Sequence, residues 1–316
     1  MSTGATPPRR AMKGLHIGIS GWRYVPWRGE FYPPGLRQKD ELRYASRAFN
    51  SIELNGSFYA LQTPQRYRQW AADTPDGFVF SLKAPRYITH IKRLREAEEG
   101  LANFFASGPL ELGDKLGPLL WQLPPSLKYD AEVLEAFLAL LPRHTDAALK
   151  LARAAATRRP DAWPQGLKQR PLRHAMEVRH ASFACAGFAE QLRRHGVALV
   201  FADAPRKWPY AEDLTAKDFI YLRLHGDQQL YASGYGEAAL QRWRERIGRW
   251  RRGLQPADAQ LLDASTRGDR HSREVFCYFD NDIKVRAPFD ASHLMALLDL
   301  RLPGRQQPGE PVGDWA

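Results

Sequence analysis

Eight short apolar runs recur along the 316 residues, at 16–20, 51–55, 78–83, 119–123, 175–179, 197–203, 219–225 and 275–280, and most close on a polar or charged side chain. Segments with helical periodicity separate most of them. In one, Leu240, Trp243, Ile247, Trp250 and Leu254 make a single apolar stripe, with Arg242, Arg244, Arg246, Arg249, Arg251 and Arg252 on the other faces. Leu134, Phe137, Leu138 and Leu141 mark a second helix, and Leu294, Leu297 and Leu298 a third. Strands repeat every two residues and helices every 3.6, so the chain reads as strand then helix, eight times over. The pattern predicts an α/β fold, a single (β/α)8 TIM-like barrel over 15–302, with polar, Pro- and Gly-rich tails at 1–14 and 303–316 expected to be frayed. The connection 203–218 has room for a short helix at most. Residues 255–273 read as a flexible surface insertion ahead of the last strand.

Alternation along each strand divides its side chains between two faces. Ile52 and Leu54 oppose Ser51, Glu53 and Asn55; Phe80 and Leu82 oppose Val79, Ser81 and Lys83. Met176 and Val178 oppose Glu177 and Arg179, while Ile220, Leu222 and Leu224 oppose Tyr221, Arg223 and His225. The apolar set must face the helices, which sends the polar set into the lumen. Gln122 and Asp203 are expected to join it from the fourth and sixth strands. Charges inside a barrel are costly unless paired or wet, and these gather at strand carboxyl ends, where barrel enzymes carry their chemistry. An ion-paired plug is the plainer alternative. Polar ends on at least five strands exceed what a plug requires, so they predict a site.

Residue type suggests what that site does. Glu177 and Glu53, on strands three apart, are candidates for general acid and base, with His225 beside them. Lys83, Arg86, Arg179 and Arg223 outnumber the nearby carboxylates, which points to an anion held by charge-assisted hydrogen bonds. Asn55, Gln122, Asp203, Asp280 and Asn281 are further substrate-binding candidates. Trp22 and Tyr59, with Tyr24, Phe58 and Tyr87, could stack on a sugar face or a nucleobase, although some must simply cap the barrel. One divalent ion could be drawn from Glu53, His90, Glu177, His180, Asp203, His225 and Asp280. Phosphate-binding glycine loops, the Gly-x-Ser-x-Gly elbow and His-Glu-x-x-His are absent from the sequence. The fourth and seventh strands, which supply the carboxylate pair of common barrel glycosidases, here end in Gln122 and in Arg223 with His225, which disfavours ordinary glycoside hydrolysis.

Composition changes this picture little. A net charge of +11 favours anionic partners, whether small molecules or nucleic acid, although surface arginine accounts for much of it. Cys185 and Cys277 stand alone, and no apolar run nears the roughly 20 residues that span a bilayer. A soluble, cytoplasmic protein without membrane contact is expected. The oligomeric state is left open.

Long motifs carry a more specific signal. GISGWRYVPWRGEFYP from Gly18, IELNGSFYALQTPQRYRQW from Ile52, FSLKAPRYITH from Phe80, LWQLPPSLKYD from Leu120, AMEVRHASF from Ala175, FIYLRLHG from Phe219 and YFDND from Tyr278 stand in order along the chain. Together they resemble the YecE-like family, a domain of unknown function. The resemblance implies a TIM-like barrel and brings no activity with it. Ile19, Phe183 and Asp280 stand where that family often has threonine, tryptophan and asparagine, and Asp280 adds a carboxylate at the eighth strand end. The expected function is that of a hydrolase or lyase acting on a phosphorylated sugar, nucleotide or nucleic-acid end at the carboxyl face of the barrel. The alternative is a non-catalytic nucleic-acid-binding protein using the basic helices and aromatic loops.

Overall fold

A computed structural model describes residues 14–155, 160, 163–205, 207–265 and 268–312. Eight parallel strands close into a barrel in chain order: β1 (Leu15–Ser20), β2 (Ser51–Leu54), β3 (Val79–Lys83), β4 (Leu116–Gln122), β5 (His174–Glu177), β6 (Ala198–Asp203), β7 (Phe219–Leu224) and β8 (Glu274–Phe279). Each of the eight apolar runs supplies one strand. The α-helices among the described residues are α1 (Glu41–Ala48), α2 (Gly56–Tyr59), α3 (Pro64–Asp73), α4 (Glu98–Ala106), α5 (Ala131–Leu140), α6 (Thr145–Arg153), α7 (Ala186–Arg194), α8 (Glu237–Trp250) and α9 (Arg286–Leu297). The arginine-rich stripe is α8, which buries Leu240, Trp243, Ile247 and Trp250, with Trp250 against Phe201 of β6.

The outer core and the lumen form two separate apolar clusters. Ile52, Leu54, Leu82, Met176, Ile220 and Leu222 face the helices. The lumen holds Leu120, Ala175, Val200, Tyr221, Phe276 and Tyr278, with hydroxyls bound across it: Ser51 Oγ lies 2.7 Å from Tyr278 Oη and Ser81 Oγ 2.6 Å from Tyr221 Oη. Gly18 is the inward residue of β1 at this level. A Cβ there would meet the Ser51 carbonyl oxygen at 1.8 Å, so only glycine lets the two strands approach.

Three expectations are corrected. First, on β6 the inward residues are Ala198, Val200 and Ala202, so Asp203 points outward. This strand is apolar on both faces, and without alternation its phase was not legible. Second, the segment after 255 is no loose insertion up to residue 263. The β6–β7 connection carries no helix among the described residues, and 255–263 is bound to it instead. Glu212 N donates to Gln260 O (2.8 Å), Gln255 Nε2 to Glu212 O (2.8 Å), and Leu262 N and Asp263 N to the Asp213 carboxylate (2.7 and 3.1 Å). Two helix-free connections thus cover the flank that a helix after β6 would have covered. Third, residues 303–312 are docked on α1 rather than frayed. Tyr44 Oη donates to the carbonyls of Gln307 and Glu310 at 2.8 and 2.9 Å, Gln306 N to Arg47 O at 3.0 Å, and Gly309 N to Phe31 O at 2.9 Å. Except for Gly14, the segment 1–14 lies outside the described residues, as do 313–316.

Candidate functional site

Strand alternation turns Ser20, Glu53, Lys83, Gln122, Glu177 and Arg223 into the lumen at the carboxyl end of the barrel. The register sets Ser20 beside Glu53 and Gln122 beside Glu177. Arg223 is the hub. Its side chain is 1% exposed, and it donates from Nε and Nη2 to Glu53 (3.0 and 2.8 Å), from Nη1 to Glu177 (2.7 Å) and from Nη2 to Asp280 (2.8 Å). Ser20 Oγ and Tyr221 Oη each donate to Glu53 at 2.7 Å, and Arg179 Nε donates to Glu177 at 2.7 Å. Burial by itself would raise the Glu177 carboxyl, but Arg179 and Arg223 outweigh it and hold the group far below the carboxylate range. Arg223 and then His225 do the same for Asp280.

Above this layer opens a cavity of about 460 Å³. Tyr24, Asn55, Phe58, Tyr59, Lys83, His90, Gln122, Arg179, Tyr231, Asp280 and Asp282 line it, with Arg223 at its base. The guanidinium of Arg179 lies over the Trp208 ring at 3.7 Å. Lys83 is 9% exposed, and its Nζ sits 4.3 Å from the centre of the Phe58 ring. That ammonium makes no hydrogen bond or ion pair among the described residues. Burial and then the charge of Arg223 bring its pKa down to about 8, against the pull of Asp280, Glu53 and Glu177. Burial and the neighbouring Asp280 push Asp282 up to about 6. Burial, Lys83 and Arg179 lower His90 to about 4. The mouth thus holds a carboxyl and an amine whose protonation changes on either side of neutrality.

The family model described as "Protein of unknown function DUF72" matches residues 16–312. The chain belongs to this family. UPF0759 protein YunF of Bacillus subtilis (strain 168) is 29% identical over 116 residues, covering 35% of this chain and 40% of that protein. UPF0759 protein YecE of Escherichia coli (strain K12) is 27% identical over 196 residues, covering 60% and 59% respectively. The matches therefore span less than two thirds of the length of either relative. Among solved structures, a DUF72 family protein from Thermotoga maritima superposes with a TM-score of 0.69 at 24% identity, over 90% of this chain and 99% of that one. One from Enterococcus faecalis gives 0.65 at 16% identity, over 91% and 96%. At these identities the likeness concerns the fold alone.

In this DUF72 chain the cavity gathers Lys83, Asn55, Tyr59, Gln122, Arg179 and Asp280 on its wall and Arg223 at its base from the residues expected in a site. The remainder lie elsewhere. Glu53 and Glu177 lie beneath the cavity, fully buried and bound to Arg223, and are absent from its lining. Arg223 gives its N–H groups to carboxylates, which leaves little of it to hold a ligand. His225 is fully buried, between the edges of Trp208 and Tyr231, with Nδ1 3.0 Å from Asp280 Oδ2 but out of hydrogen-bond alignment. Trp22 packs on Trp70 and Phe80 in the outer core, and Arg86 is exposed outside the lining. Asp203 accepts from Tyr235 Oη (2.8 Å) on the helix side, and Asn281 donates to Asp290 (2.7 Å) and the Ser233 carbonyl (2.9 Å).

The candidate metal ligands do not converge. Among the described residues no three His, Cys, Asp or Glu side chains form a group able to hold a metal ion. His180 Nδ1 lies instead 2.9 Å from Ser182 Oγ, and His90 Nδ1 2.9 Å from Thr89 Oγ1. Asp282 was not singled out in the sequence. Its signal was weak: it lies two residues past Asp280, beyond the end of β8, where strand alternation no longer says which way a side chain points. No helix among the described residues is long and apolar enough to cross a membrane.

Proposed function

We propose that the barrel mouth is the active site of an enzyme, a hydrolase or lyase, that acts on a small phosphorylated sugar or nucleotide. The observation that carries this reading is the division of labour among the cations. Arg223 is engaged by three carboxylates, whereas Arg179 and Lys83 face the cavity. Arg179 gives Nε to Glu177 and a long 3.5 Å contact from Nη2 to Tyr231 Oη, and Nη1 makes no hydrogen bond among the described residues. A guanidinium anchored on one edge and open on the other suits a phosphate. Phe58, Tyr59 and Tyr231 provide apolar faces for a sugar or base. Asp282 and Lys83 are the groups placed to exchange protons.

The nucleic-acid alternative draws less support, because the arginines of α8 are engaged within the chain. Arg246 binds Glu212 and Asp258, Arg244 donates to Leu297 O, and Arg249 to Gln255 O. A thermal-shift series with sugar phosphates, nucleotides and oligonucleotides separates the two. A ligand at 100 times its dissociation constant adds about 2.7 kcal/mol to the native state. Stabilisation by a small phosphorylated compound, lost in Arg179→Ala, is expected. Stabilisation by oligonucleotides alone, steeply salt-dependent and indifferent to Arg179→Ala, would move the binding surface outside the barrel.

A further inference from the structure

Lys83 is an oddity even within a polar site. A buried ammonium ordinarily finds a carboxylate, and three lie near enough to act on its charge. Each is already held: Glu53 and Glu177 by arginine, and Asp280 by Arg223 with His225 at contact distance. The amine is left facing the Phe58 ring and the open cavity, which Asp282, Tyr231 and Gln122 also line. An anion-binding lysine works best fully charged, whereas this one is kept from a partner and desolvated, which is how an amine nucleophile is prepared. With a pKa of about 8, about one-tenth of it is neutral at pH 7, some two hundredfold more than for an ordinary surface lysine.

Building on the phosphorylated-sugar reading, we propose that Lys83 forms a covalent imine with the carbonyl carbon of an open-chain aldose or ketose phosphate whose phosphate is held by Arg179. The neutral Nζ lone pair makes the C–N bond while the carbonyl π pair moves to oxygen. The Asp282 carboxylate takes the proton that the carbinolamine nitrogen releases and passes it to that oxygen; a second proton, from solvent water, turns the hydroxyl into water, which departs as the nitrogen lone pair closes the C–N double bond. Overall, neutral amine, carbonyl and one proton become iminium and one water, with no redox partner. The iminium is the electron sink for the next step: the pair of an adjacent C–H or C–C bond flows toward nitrogen, which places the protein among lyases or isomerases rather than hydrolases. Asp282, once deprotonated, is the base that accepts the released proton.

The test is reductive trapping on the full-length protein. Glyceraldehyde 3-phosphate, dihydroxyacetone phosphate and ribose 5-phosphate are each offered with sodium cyanoborohydride, which delivers hydride to the iminium carbon and leaves a stable secondary amine. Intact mass and peptide mapping locate the adduct. Modification of Lys83 at least about tenfold faster than exposed Lys39, Lys128 or Lys150 is expected. The rate should rise as the pH passes 8 and fall when inorganic phosphate competes or when Arg179 is alanine. Lys83→Arg should retain ligand-induced thermal stabilisation and lose trapping. Adducts spread over the exposed lysines, with Lys83 no faster, would overturn the proposal. If the sugar phosphates stabilise the protein and Lys83 is never trapped, the imine fails and the phosphate site stands. If Lys83 is trapped as readily by unphosphorylated glyceraldehyde, with no effect of phosphate or Arg179→Ala, the imine stands and the phosphate reading fails.

Discussion

Arg223 shows how one residue can hold a charged layer together at the base of a cavity. Read in the sequence as a ligand-binding cation, it proves to be the counter-charge that lets Glu53, Glu177 and Asp280 share one buried layer. Breaking a buried pair by removing one partner costs about 3–5 kcal/mol, because the orphaned charges stay desolvated. Arg223→Met is therefore expected to lower the unfolding free energy read from denaturant titration by an amount of that size, and Arg223→Lys to recover only part of it, since an ammonium cannot reproduce the planar fork. An unchanged midpoint in Arg223→Met would show that the carboxylates are protonated or wet, and that the layer is no ion-pair network. The polar alternation of β2, β5 and β7 made these residues legible as lumen-facing. Which of them were mutually satisfied was not legible, because that depends on distances between strands far apart in the chain.

Among the elements, the flank beside β6 is the one that departs from the repeating plan. Asp213 is buried and accepts from the backbone of Leu262 and Asp263, pinning a segment that follows α8 onto one that precedes β7. Arg246 on α8 adds a two-pronged contact to Glu212 at 2.8 and 2.9 Å. Removing the shared acceptor leaves two backbone N–H groups unmatched. Asp213→Ala is accordingly expected to cost about 1–3 kcal/mol and to open 255–265 to limited proteolysis before the barrel itself unfolds. Global unfolding without earlier cleavage there would indicate that the segment is held by other contacts. In the sequence this region is largely polar and charged and holds Pro256 and Gly268, the composition of a loose loop. Its order comes from acceptors some 50 positions away.

For the molecule as a whole, the site leaves a signature in the dependence of stability on pH. Glu177 and Asp280 are depressed, so their contribution is present above the unfolded value of about 4 and is lost as pH falls below it. Asp203 and Asp282 are raised to about 6, the opposite sense, so the native state gains as pH falls from about 6 toward 4. Lys83 is lowered to about 8, so the native state also gains as pH rises from about 8 toward 10.5. Denaturant midpoints measured across this range are expected to rise on the alkaline side in the wild type, and to rise less in Lys83→Met. That variant should also be more stable than wild type at pH 7, because an unpaired buried charge is gone. Coincident profiles for the two proteins between pH 8 and 10 would mean that Lys83 is ordinarily solvated.

Periodicity is a local property, and what depends on it could be read from the sequence alone: eight strands, a closed parallel barrel, the helix stripes and the inward face of every strand whose two sides differ in polarity. Tertiary structure decided the rest. It turned Asp203 outward on a strand with no alternation, docked 303–312 on α1, and brought Asp282 to the cavity from beyond a strand end. It also sorted the charged lumen residues into those that satisfy one another and one that does not. The reason is physical. Alternation says which way a side chain points, but whether a buried charge is neutralised depends on a few ångströms between residues as distant in the chain as Glu53 and Arg223, and only the closed barrel sets that distance.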